Sequence, residues 1–336
     1  MKTLLSRLLN TVGKLSSCET GEAPKDLAPI ILRMAQTGEG TDECLRLGCL
    51  PVPVHFYSPM PDIKDLEQRN VWERKSPLAG IDFRTEEQVE FMKRLGRSYG
   101  DECAWPENAT KDPFQFHTHN GCFGFGCAAM LHCMIRHHKP RRLIEIGSGY
   151  SSLVISAALR RNADESPKHS CHYAIVDPYP GETIQRRLPL LSEMVKKRAE
   201  LVPAEFFDTL KDNDILFVDS SHTVRIGGDV NHLILDILPN LSPGVVVHFH
   251  DIHLPYEYHR VYATNPAFRV FWTEAYLLQA FLAHNNHWEI LLGMAYLMAE
   301  RMSDFESAFP HFDIKKNWSN SGSFWIRRKS THTLSE

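Results

Sequence analysis

Three short stretches carry most of the side chains that could do chemistry. The first runs Glu145-Ile146-Gly147-Ser148-Gly149-Tyr150-Ser151. Glycines at 147 and 149 let the backbone turn tightly and come close to a ligand. A dinucleotide-binding turn wants a further glycine three residues on, so that a pyrophosphate can rest on the helix N-terminus. Ser152 stands there instead, and Glu145 precedes the first glycine by two residues. A carboxylate does nothing for an anion but pairs with an ammonium group. The turn therefore points to S-adenosylmethionine rather than NAD, with Glu145, Gly147, Ser148, Gly149 and Ser151 as cofactor-binding residues. An ordinary strand–helix turn is the competing reading.

The second stretch is Asp177 followed by Pro178. A carboxylate closing a strand can accept both hydroxyls of a ribose; a turn-forming or helix-capping acid is the alternative. The third is Asp219-Ser220-Ser221-His222 together with His248-Phe249-His250-Asp251-Ile252-His253. Side chains alternate along a strand, so 248 and 250 share a face. Asp219, His222, His250 and Asp251 are thus expected at one rim. Carboxylates and imidazoles so gathered raise each other's proton affinity or bind a divalent cation. A single strand histidine is more often a core residue, but two at alternate positions and a third three residues on, beside an acid, argue for a functional cluster.

Those residues need elements to hold them. From about residue 141 the pattern alternates strand and helix. Strands are expected at 142–146, 173–176, 201–202, 215–218, within PGVVVHFHD, and at 288–292 and 323–326. Val230, Leu233, Ile234, Ile237, Leu238 and Leu241 recur at helical spacing and predict one helix packed on a sheet. Phe271, Ala275, Leu278 and Leu282 mark another. Apolar strands without alternation, separated by helices, predict an α/β fold with a parallel sheet covered on both faces. Ligands of such sheets bind outside the carboxyl ends of the strands, near the reversal of strand order. The reactive stretches all fall at those ends.

Upstream, residues 1–45 show weak helical periodicity. The first 18 carry Lys2, Arg7 and Lys14 and no acid, and read as a surface amphipathic helix rather than a targeting signal. Residues 50–80 are rich in Pro and aromatics and read as extended chain. Thr85 opens a helix with acids in its first turn and bases in its last. The expected division is a helical and extended cap over 1–110 and a catalytic domain over 111–330.

Composition narrows the function classes. The chain has 336 residues, 43% of them hydrophobic, which is too apolar for disorder. A formal charge of −4 gives no basic footprint for nucleic acid. No apolar run approaches a membrane span. The eight cysteines make no CxxC pair and read as reduced, mostly buried thiols. A cytoplasmic enzyme is expected; nothing in the sequence fixes its oligomeric state, and a homo-oligomer is allowed.

In their order, IEIGSGYSS, VDPYP, DILFVDSSH and VVVHFHDIHLP resemble the class I S-adenosylmethionine-dependent methyltransferases, and more narrowly methyltransferase family 24, whose members are often associated with glycan or secondary-metabolite clusters. FYSPMPD, WERKSPLAGIDF and NGCFGFG extend the likeness back to about residue 55. The resemblance implies a Rossmann-like seven-stranded sheet with a reversed last strand. It places Glu145, Gly147 and Gly149 around the methionine part of the cofactor and Asp177 on the ribose. The region is also similar to catechol O-methyltransferase. That likeness implies a metal at Asp219, His250 and Asp251, with His222 at the position of the base. Histidine in place of an acid ligand leaves magnesium, manganese, zinc and iron all open. The implied reaction is methyl transfer to a hydroxyl of a small molecule or glycan, with Asp219 and His222 catalytic, Asp219 also among the cofactor-binding residues, and Asn120, His222 and His253 facing the acceptor. Two alternatives are weighed. Asp219, His222 and His250 could form the two-histidine facial set of a non-haem iron oxygenase. The chain could also bind the cofactor without catalysis, as a partner protein.

Overall fold

The computed structural model describes residues 27–330 except 187 and 268. The helix expected over the first 18 residues lies outside them. Two compact units are present. One holds residues 75–258 and 272–330; the other holds 27–74 and 259–271. The second unit is made of short helices, among them Leu27–Thr37 and Ile63–Gln68, and Arg260 pairs with Glu67 within it. Leu47, Phe56 and Tyr57 are exposed there.

The first unit is built on a seven-stranded sheet. Its strands are β1 (Arg142–Ile146), β2 (His172–Val176), β3 (Leu191–Val195), β4 (Ile215–Val218), β5 (Val246–Phe249), β6 (Trp288–Gly293) and β7 (Phe324–Arg328). They lie in the order β3-β2-β1-β4-β5-β7-β6. All are parallel except β7, which runs against both its neighbours. This is the Rossmann-like arrangement with the expected reversed last strand.

The central strands are buried on both faces. Leu143, Tyr173, Ile215 and Phe217 join a large apolar core with helices α1 (Thr85–Tyr99), α2 (Phe125–His138) and α3 (Tyr150–Glu165). Their alternate neighbours Ile144, Ala174, Leu216 and Val218 are equally shut off from solvent. That double burial is why these strands read as mainly apolar runs without alternation, Glu145 apart. The boundary expected near residue 110 falls inside this unit, since α1 belongs to the same core and the side-chain oxygen of Gln88 accepts from the Gly293 N–H of β6 at 2.6 Å.

Two sequence expectations are corrected. The third strand is Leu191–Val195, not 201–202, and Ala199–Leu201 is a single 3-10 turn. β3 is an edge strand whose residues are partly or fully exposed, so it carries no apolar run to betray it. The helix over 230–241 is not one regular α-helix. Asp229–Asn231 leads into a π-wound segment, His232–Ile237, and then a 3-10 turn, Leu238–Asn240. Pro239 has no N–H to continue the ladder. The apolar stripe itself is buried as expected.

Candidate active site

Strand order reverses between β1 and β4, so the loops leaving these two strands diverge and open a crevice. Two backbone bonds hold its floor. The Gly147 N–H donates to the Val176 carbonyl, and the Asp219 N–H donates to the Ile146 carbonyl, both at 2.9 Å. Gly147 has φ +80°, and a Cβ there would sit 2.1 Å from the Asp219 carbonyl oxygen. Only glycine fits between the two loops. At Gly149 a Cβ would meet nothing within 4 Å. That open space belongs to a cavity of about 360 Å³, lined by Ser148, Gly149 and Ser151 from this turn and by Asp219 and His250 from the neighbouring strand ends. Cavities of this size hold small-molecule ligands.

Glu145 and Asp177 do not line the cavity; they hold residues that do. Glu145 is fully buried and accepts hydrogen bonds from Ser151 (2.6 Å), Ser152 (2.9 Å) and the Tyr173 hydroxyl. Burial without a cationic partner pushes its carboxyl up to about 8, against the pull of those three hydroxyls. Asp177 accepts from the Ser148 hydroxyl at 2.5 Å and from the Tyr179 N–H at 2.7 Å. The second bond is the turn-forming interaction weighed above; a carboxylate still has lone pairs for further donors.

The β4 and β5 ends carry the imidazoles. His222 is 2% exposed. Its Nε2 lies 3.1 Å from Asp219 Oδ1 and 3.7 Å from Asp251 Oδ2, and its Nδ1 lies 2.8 Å from Glu274 Oε2. Burial alone would lower its proton affinity, but the three carboxylates win and raise it well above the ordinary value. Burial would likewise raise Asp219, yet His250 and His222 hold it well below the usual carboxylate range. His222 and Asp251 both adopt left-handed backbone, with φ +57° and +56°. Such conformations cost about 1–3 kcal/mol each in non-glycine residues and gather at functional sites.

Ligand atoms of Asp219, His222 and Asp251 lie within 4.8 Å of one another, a grouping that can hold a metal ion. The donor chemistry fits a divalent cation: two carboxylates supply charge, and Glu274 on Nδ1 fixes the tautomer that aims Nε2 at the site. The set differs from the expected one. His222, foreseen as a base, stands among the donors. His250, foreseen as a ligand, does not. Its ligand atoms fall outside that grouping; the ring stacks on Phe123 at 5.0 Å and lines the cavity. Burial lowers its proton affinity, and Asp251 and Asp219 raise it to about 10. The cluster holds one histidine and two carboxylates, so the two-histidine facial set is not what this rim assembles.

His248 shares the strand face of His250 but is structural. Its Nε2 lies 2.9 Å from the Ser323 hydroxyl, and its ring stacks on Phe217 at 4.2 Å. His253 stands edge-on to Tyr258, off the cavity wall. Asn120 spends its amide on its own loop. It donates to the carbonyls of His117 and Phe123 and accepts from the N–H groups of Cys122 and Phe123, all at 2.7–2.9 Å. Cys122 and Phe123, which it positions, line the cavity in its place. Sequence reasoning missed Glu274 and Tyr173, which carry no local signal, and took Ser152 only as an absent glycine.

Residues 144–252 match a family described as a methyltransferase domain. Over 188 residues the chain is 30% identical to an uncharacterized protein of Archaeoglobus fulgidus, an alignment covering 53% of this chain and 80% of that one. No helix among the described residues is long and apolar enough to cross a membrane.

Proposed function

The chain belongs to this methyltransferase-domain family of class I S-adenosylmethionine-dependent enzymes, and on that premise we propose that it methylates a hydroxyl of a small, polar acceptor with the help of a divalent cation. The observation that carries the reading is one cavity wall. It takes Ser148, Gly149 and Ser151 from the glycine turn and Asp219 and His250 from the carboxylate–imidazole rim.

The sulfonium methyl is already a good electrophile, so the protein has to align the acceptor and take its proton. The turn from Gly147 to Ser151 receives the methionine end, and Glu145 fixes the Ser151 and Ser152 hydroxyls beneath it. Asp177 orients Ser148 and has acceptor capacity left for ribose hydroxyls. Asp219, His222 and Asp251 would hold the cation, which supplies acidity to a neighbouring hydroxyl. Where the cation is held, the acceptor proton leaves to solvent; in the cation-free site deprotonated His222, its Nε2 3.1 Å from Asp219 Oδ1, takes it. Nε2 serves a cation or a proton, not both at once, so cation requirement and pH dependence are linked. Thr110, Asp112, Gln115 and His117 give the rest of the wall hydrogen-bonding groups suited to a polyhydroxylated acceptor.

The test is calorimetric titration with S-adenosylhomocysteine, followed by transfer of labelled methyl to a panel of sugars and phenols, with and without chelator and added magnesium, manganese, iron or zinc. Asp219→Asn should bind S-adenosylhomocysteine within several-fold of the parent and lose at least about 100-fold in transfer, as removal of a charged transition-state partner does. Normal turnover by Asp219→Asn, or no binding of S-adenosylhomocysteine by the parent, overturns the proposal.

A further inference from the structure

The loop from His117 to Gly124 has two working sides. His117, Cys122 and Phe123 face the reaction cavity. Thr118, His119, Gly121 and Gly124 line a second cavity of about 250 Å³, closed by Lys316, Asn317 and Trp318. Asn120, with its four backbone hydrogen bonds, makes the loop a rigid partition between them.

Trp318 is 49% exposed. Its indole is laid on Gly124, where a Cβ would come within 2.9 Å of Cε3. The glycine thus seats the ring and leaves its other surface to the cavity. At Gly121 a Cβ would meet nothing within 4 Å, and φ is +72°, so the crest of the partition carries no side chain. Thr118, His119, Lys316 and Asn317 line the cavity with the indole. The Lys316 ammonium is paired with Glu107 at 2.7 Å and the Asn317 amide nitrogen donates to the Asp313 carbonyl at 3.1 Å, which leaves the Thr118 hydroxyl and the Asn317 side-chain oxygen as groups for a ligand. His119 is fixed by its Nε2, 2.9 Å from the Lys316 carbonyl. A flat apolar ring flanked by hydrogen-bonding groups matches one ligand shape well: a pyranose, with C–H bonds on its face and hydroxyls on its edge.

We propose that Trp318 is the floor of a second sugar subsite, which takes a distal pyranose of an extended acceptor whose reacting residue sits in the main cavity. The role of this subsite in catalysis rests on the methyl-transfer reading; its binding of sugar does not.

The full chain is titrated with lactose, cellotetraose, chitotetraose and adenosine, by saturation-transfer NMR and calorimetry, with S-adenosylhomocysteine binding measured in parallel. At least one oligosaccharide should bind, with contacts from the sugar C–H protons. Trp318→Ala should weaken that binding at least tenfold and leave S-adenosylhomocysteine binding unchanged. Gly124→Ala, which displaces the indole without removing it, should weaken sugar binding several-fold. The proposal is overturned if no oligosaccharide binds at tens of millimolar, if binding survives in Trp318→Ala, or if adenosine alone takes the site. Sugar binding that depends on Trp318 in a protein without methyl transfer would keep the subsite and sink the catalytic reading instead.

Discussion

Two carboxylates leave adjacent strands at the crevice and meet opposite fates. Glu145, near the end of β1, is fully buried among hydroxyls, and its carboxyl is pushed up to about 8. Asp219, just past β4, is pulled down by His250 and His222 against the burial that would raise it. Hydroxyl donors lose to desolvation; imidazolium partners win against it. The β1 rim is thus a neutral scaffold that shapes a turn. The β4–β5 rim is a charged assembly that can hold a cation or a proton. The division recurs within β5 and its extension. His248, between Phe217 and Trp325, is pushed well below its ordinary value by burial, whereas His250, two residues on, is pushed up.

The harshest way to break the comparison is to wedge the two rims apart. Gly147→Ala places a methyl group 2.1 Å from the Asp219 carbonyl oxygen at a positive φ, and the obstacle is backbone that cannot swing aside. The expected cost is on the order of 3 kcal/mol or more. Urea unfolding should show it, together with loss of S-adenosylhomocysteine binding. An alanine variant as stable as the parent would mean the two loops are not in contact.

A smaller effect sharpens the contrast at the charged rim alone. Glu274 touches neither cavity nor cation donors other than His222, so its role is to position Nδ1. Glu274→Gln keeps the shape and weakens that hold. Outer partners of this kind are worth about 10–100-fold in metal affinity. The variant should need that much more cation for half-maximal transfer, with its acid limb displaced to lower pH because His222 loses a carboxylate. Unchanged cation demand and an unchanged pH profile would make Glu274 merely structural.

How much of this was legible depends on whether the cause was local. β4 announces itself because burial on both faces leaves the run ILFV with no polar break, and β1 and β5 are apolar apart from Arg142, Glu145 and His248. β3, exposed at the sheet edge, has no such run. The glycine turn is readable because its chemistry lies within seven residues. The rim residues are readable as polar strand ends, but which imidazole joins Asp219 and Asp251 is not. That choice is set by the left-handed backbone of His222 and by Glu274, 52 residues away in sequence. Asn120 looks like a ligand-facing amide until its four loop bonds are seen. Polar type marks a region of interest; only the fold says whether the polarity is spent internally.

The neutral rim gives the mildest prediction. Glu145 has a folded value of about 8 against an ordinary 4.5, so between those limits the folded protein holds a proton that the unfolded chain has released. Stability from this group is full below about pH 4.5 and declines as pH rises towards 8, with a slope of at most ~1.4 kcal/mol per pH unit. Asp219 works in the opposite sense: its contribution is present above its ordinary 3.8 and fades as pH falls. Glu145→Gln is neutral at every pH and removes the first slope alone. Its amide nitrogen cannot accept from a serine hydroxyl, so it should cost about 1 kcal/mol at pH 5. By pH 8 that deficit should vanish and then reverse, because folding of the parent must take up a proton that the unfolded chain has released. Urea midpoints at pH 5, 6.5 and 8 measure the convergence. Parallel curves for the two proteins would show that Glu145 is ionised throughout, and the two rims would then differ in partners but not in charge.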